Sequence, residues 1–183
     1  MYTEQSVTQP ERKWTEKDGV ITFTVTSDGT TGLRWIERLK KGGFSLGWSE
    51  KALLKKMATT YGVTTEITVL KGELFEDELF SDNDRTTANI IVEAERRGLT
   101  RPFAETACLI REKFTDEELT AMGLNAIIVM HCPIIDDFFD YFPKLLGVYS
   151  YNDSPTLDVF HHNPFRWFRD YGFAFAAQVF QNY

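Results

Sequence analysis

All three histidines of this 183-residue chain lie between positions 131 and 162, among Asp136, Asp137, Asp140 and Asp158. Imidazole and carboxylate together make the ligand set of zinc, manganese or iron. An ion held by His131, His161 or His162 with Asp136 or Asp158 would acidify a bound water and supply a nucleophile. A metal-dependent hydrolase is therefore one reading, and it needs the strands expected at 127–132 and 157–162 to be neighbours.

The spacing argues the other way. No H-E-x-x-H, C-x-x-C or H-x-H pattern occurs. Side chains alternate along a strand, so His131–Cys132 and His161–His162 each offer a site one ligand, not two. The expectation adopted for "IIVMHCPIIDDFFDYF" is a strand whose terminal histidine donates to a backbone carbonyl, followed by an acidic loop.

Other catalytic patterns fail on similar grounds. Cys132 diverges from His131, whereas a working thiol–imidazole pair meets from separate elements. There is no G-x-S-x-G, and "KKGGFSLGW" lacks the phosphate-wrapping G-x-x-x-x-G-K-[ST] plan. Asp82 and Asp84 alternate as in a calcium loop, without its glycine or terminal glutamate. No catalytic residue and no cofactor is implied, and the chain leans away from an enzyme.

A different chemistry stands out in "HHNPFRWFRDYGFAF", where Phe165, Trp167, Phe168 and Tyr171 interleave with Arg166 and Arg169. Aromatics with arginine are the composition of binding hot spots. In "DDFFDYF" the rings fit neither a strand nor a helix period, which predicts that some are exposed. The leading expectation is a non-catalytic protein-binding domain with a C-terminal aromatic surface. Its contacts would be Phe138, Phe139, Arg166, Trp167 and Tyr171, and its partner another protein or a second copy. A third reading is a pocket for a nucleotide-like or other small ligand, lined by the same residue types.

Bulk properties narrow the classes. Hydrophobic residues are 43%, charged residues 26% and aromatics 14%, a globular composition with a ring-rich core. A net charge of −7 disfavours nucleic acid as partner. The basic run at 34–56 and the acidic run "ELFEDELFSDND" are expected to be solvated faces. No apolar stretch reaches the ~18 residues of a membrane span. The polar N-terminus has no signal-peptide plan, and only two cysteines occur, so a cytoplasmic location is expected.

The elements that must position these residues follow from pattern. "GVITFTVTSDG" alternates as a half-buried strand, and 63–70 gives a second. Helices are expected at 31–41, from Ser49 as N-cap, and from Asp84 to Gly98 with Thr87, Ile90, Ile91 and Ala94 inward. "AETACLIREKF" is taken as a third strand. Thr115 and Glu118 form an S/T-x-x-E capping box, with Phe114 and Leu119 as its hydrophobic staple and Gly123 as its stop. "NAIIVMHC" is an inner strand, and the 105–132 unit would then be strand–helix–strand. Three more short strands fill the last third, with turns at 152–155 and 163–164. The sum is a flexible lead-in at 1–13 and one α+β domain at 14–183. Its sheet is mixed and mostly antiparallel, with three or four helices packed against it.

Overall fold

The computed structural model describes residues 12–75, 85–136, 140–151, 154–162 and 166–177. Its elements run β1 (Thr15–Lys17), β2 (Val20–Asp28), α1 (Gly32–Lys41), α2 (Trp48–Lys56), β3 (Tyr61–Lys71), a 3₁₀ turn (Gly72–Phe75), α3 (Thr87–Arg96) and β4 (Leu99–Thr100). They continue α4 (Thr106–Lys113), α5 (Asp116–Ala121), β5 (Ala126–Val129), β6 (Ile134–Asp136), β7 (Asp140–Tyr151), β8 (Ser154–His161) and β9 (Tyr171–Ala177). The fold is mixed α+β, with one nine-stranded sheet in the order β1-β2-β3-β9-β5-β7-β6, larger than the sequence predicts. β8 pairs with β7 and β4 with β9. Every pairing is antiparallel except β5 with β9.

Alternation along the inner strands feeds two separate apolar layers. Ile127, Val129, Leu146, Val148 and Ala174 face a layer with Trp35 and Leu39 of α1, Leu53 and Leu54 of α2, Cys108 and Ile110 of α4, and Leu119 of α5. Ala126, Ile128, Leu145, Phe173 and Phe175 face the other way, onto Ile90 and Ala94 of α3. Here the 166–171 segment supplies Trp167 and Tyr171, so one helix and one loop cover what four helices cover opposite.

The α5 start is built as the sequence predicts. The Thr115 hydroxyl accepts from the Glu118 N–H while the Glu118 carboxylate accepts from the Thr115 N–H. Phe114 and Leu119 are both buried beside it. Gly98 and Gly123, just beyond helix ends, have φ of 70° and 72°.

Three local expectations are corrected. Residues 106–113 are helical, not a strand, so Cys108 sits on a helix and the strand–helix–strand unit does not exist. The helical period is present in Ala107, Cys108, Ile110 and Arg111, all buried on one side. The N-cap of α3 is Thr86, whose hydroxyl accepts from the Asn89 N–H, while Asp84 lies outside the described residues. The N-cap of α2 is Gly47, two residues before Ser49. Of the expected lead-in, Lys13 is held: its Nζ donates to the Lys113 carbonyl at 2.9 Å and pairs with Glu118 at 3.0 Å. Among the described residues, no helix is long and apolar enough to cross a membrane.

Candidate functional site

The predicted metal ligands do not converge. His131 is 1% exposed and both its ring nitrogens are occupied. The Leu146 N–H donates to Nε2 at 2.9 Å, which leaves the proton on Nδ1, and Nδ1 donates to the Cys132 carbonyl at 2.6 Å. The reason lies in the sheet. β5 pairs with β7 as far as Ile128↔Gly147, and β6 resumes at Ile134↔Lys144. Between those points the chain leaves β7, and the imidazole supplies the acceptor that a strand carbonyl would have offered Leu146. Burial holds its pKa down to about 4, opposed by the bond to Cys132 and reinforced by Arg101 and His162.

The other ligand candidates are dispersed. His161 is exposed and meets the Phe142 ring edge-on at 6.1 Å. The backbone N–H of His162 donates to the Pro143 carbonyl, and burial, then Arg101, lowers the pKa of its ring. Asp158 is half-buried, which raises its pKa, and its Oδ1 accepts from the Val159 N–H at 2.7 Å. The side chain of Asp136 lies outside the described residues. Among the described residues no three His, Cys, Asp or Glu side chains are grouped to hold an ion.

The predicted contact surface is rearranged. Trp167 is 3% exposed and Tyr171 is buried, so neither presents a surface ring. Trp167 packs against Phe173 at 5.7 Å and Phe160 at 6.2 Å, with Tyr171 at 6.5 Å. Its Nε1–H donates to Thr87 Oγ1 at 3.0 Å, and that hydroxyl donates on to the His162 carbonyl. The second predicted pair, Phe138 and Phe139, lies outside the described residues.

Around Trp167 the loop turns its remaining side chains outward. Arg166, Phe168 and Arg169 are exposed, Phe168 at 64%. With Arg85, Glu73, Gly123 and Asp170 they line a cleft of about 530 Å³. The cleft is firmly framed. Trp167 N–H donates to the Arg85 carbonyl at 2.8 Å, and Arg85 Nε donates to the Trp167 carbonyl at 3.0 Å. Asn125 holds Asp170 through its backbone N–H and its side-chain amide. Gly72 lets this loop approach: a β-carbon there would stand 2.6 Å from the Arg169 carbonyl oxygen.

Sequence reasoning placed Arg166 among the contact residues, and named Phe168 and Arg169 in the aromatic–arginine stretch without choosing them as contacts. A second exposed apolar group, Ile135, Tyr141 and Phe142, lies on the β6–β7 end of the sheet, Phe142 at 65% exposure. No protein-family model, no curated protein and no solved structure matches this chain.

Proposed function

We propose that the protein is a non-catalytic binding domain that docks an acidic, apolar-anchored segment of another protein at the 166–169 loop. One observation carries the reading. Arg166, Phe168 and Arg169 stand exposed around a cleft whose frame is locked by buried Trp167 and Arg85. A rigid loop that displays a ring between two guanidinium groups loses little entropy on binding, and arginine pairs carboxylates in a planar, bidentate way. Arg85, Arg166 and Arg169 against Glu73 and Asp170 leave the cleft lining one positive charge in excess, in a chain of net charge −7.

Selection of random displayed peptides on the immobilised protein tests this. Enriched peptides should carry acidic residues beside an apolar one. Their affinity should fall about tenfold or more for Phe168→Ala and for Arg166→Ala, a loss of roughly 1.4 kcal/mol each, with melting temperature unchanged. Peptides without acidic character, or binding indifferent to both substitutions, would sink the proposal. A cleft this size also admits a small anion. Stabilisation by inorganic pyrophosphate or ATP that Arg166→Ala abolishes would assign the cleft to a small ligand instead.

A further inference from the structure

A second cleft, of about 400 Å³, opens where the chain crosses from β5 to β6. The end of α2 gives it Lys56 and Met57, the link from β4 to α4 gives Arg101 and Phe103, and the crossing itself gives Cys132 and Ile134. It shares no residue with the 166–169 cleft. Its walls are mainly apolar. Met57 is a core residue, Phe103 stands exposed, and Pro102 and Pro133 add ring surface without an N–H.

The charge in this cleft is of one sign. Lys56 and Arg101 are its charged side chains, and His131, with a pKa of about 4, is neutral at pH 7. Lys56 is engaged at the Ile135 carbonyl, 2.9 Å from its Nζ. Arg101 differs. Its Nη1 donates to the His131 carbonyl at 3.2 Å, which leaves Nε and Nη2 without a partner among the described residues. No carboxylate among those residues pairs with it. After burial, its field is the next influence lowering the pKa of both His131 and His162, as an unneutralised charge would do. The backbone around the cleft has little to offer a peptide. The His131 carbonyl takes Arg101, the Cys132 carbonyl takes His131 Nδ1 and the Ile135 carbonyl takes Lys56. Strand addition needs such groups open. What remains is a cation beside an apolar wall.

We infer that this cleft binds a small amphipathic carboxylate, its head group on Arg101 and its hydrocarbon body along Met57, Phe103 and Ile134. A planar carboxylate meets the guanidinium fork through two parallel hydrogen bonds. The body covers apolar surface now open to water. Small-ligand pockets run upwards from about 300 Å³, so the cleft is large enough. Neither part suffices alone. An exposed ion pair is worth little in water, and an apolar body without the head gives up the one charge the cleft leaves unmatched.

Alkylation of Cys132 by iodoacetamide reads the cleft directly. Cys132 is exposed, whereas Cys108 is buried and its pKa is raised well above the usual thiol value. On the full chain, octanoate should slow alkylation of Cys132, with a half-protecting concentration about tenfold or more below those of octanol and acetate. Arg101→Gln should raise that concentration about tenfold, and Phe103→Glu, a change at an exposed position that sets a like charge beside the ligand, should do the same. The octanol and acetate arms need no variant, so they decide the matter if Arg101→Gln fails to fold. Alkylation unchanged by octanoate overturns the proposal. Equal protection by octanol overturns it by assigning an apolar hollow alone, and equal protection by acetate by assigning an anion site alone. Protection that survives both substitutions overturns it as well.

Discussion

His131 stands in for a backbone carbonyl, and that substitution makes the β5–β6 break sensitive to protons. Only the neutral ring can accept from the Leu146 N–H. Its pKa is about 4 in the folded chain and about 6.5 unfolded, so the unfolded state binds more protons between those values. The stabilisation from the neutral ring is therefore complete above about pH 6.5 and is lost as pH falls towards 4, on the order of 3 kcal/mol in all. Glu50 and Asp158, whose pKa values burial raises, act with opposite sign. The measurement is thus the difference between wild type and His131→Ala in melting temperature from pH 7 to 4, which should shrink as pH drops. A constant difference would mean that proton uptake at this ring is not involved. Trp167 gives a second residue-scale prediction. Trp167→Ala removes a buried ring and the indole N–H that Thr87 Oγ1 accepts, for about 3–5 kcal/mol in a denaturant melt. The sequence shows a ring-rich, arginine-dotted segment, but which ring is anchor and which is display depends on a backbone path through 166–171 that no local pattern encodes.

The elements that sequence resolves are those stabilised locally. The α5 cap needs only Thr115, Glu118 and their own backbone, so Thr115→Ala should cost about 1 kcal/mol and flatten the helix start. Native-state exchange confined to the first turn of α5 would register it, and an unchanged stability would show the cap to be redundant. α4 resisted for the opposite reason. Its apolar residues serve a helix whose burial is set by β2 and α1 in space, and "TACLI" is short enough to satisfy a strand pattern equally well. Arg111 also escaped notice. It is 1% exposed, donates from Nη2 to the Phe114 carbonyl at 2.7 Å and lies 2.8 Å from Asp116, so it braces the α4–α5 junction. Removing one member of a buried pair strands the other, and Asp116→Ala is expected to destabilise the protein by about 3 kcal/mol in a urea melt.

Across the whole molecule, two apolar layers share the same strands: Ala174 faces one and Phe173 and Phe175 the other. Neither layer can come apart alone, because melting one removes the strands the other packs on. Backbone amide exchange measured on the unaltered chain should therefore give Leu53 and Leu54 of the four-helix layer and Ile90 and Ala94 of the α3 layer the same opening free energy. Separate values would show two independent units. Strand order was the part least legible in the sequence, since β9 pairs with β3 and β5 across long separations and nothing in "YGFAFAA" names its neighbours. That order has a consequence for biogenesis. The final described strand is the keystone between Ile67–Lys71 and Ala126–Val129. A nascent chain halted before Tyr171 would leave the ribosome as two unjoined half-sheets, each with an apolar rim in need of a chaperone until residues 171–177 arrive.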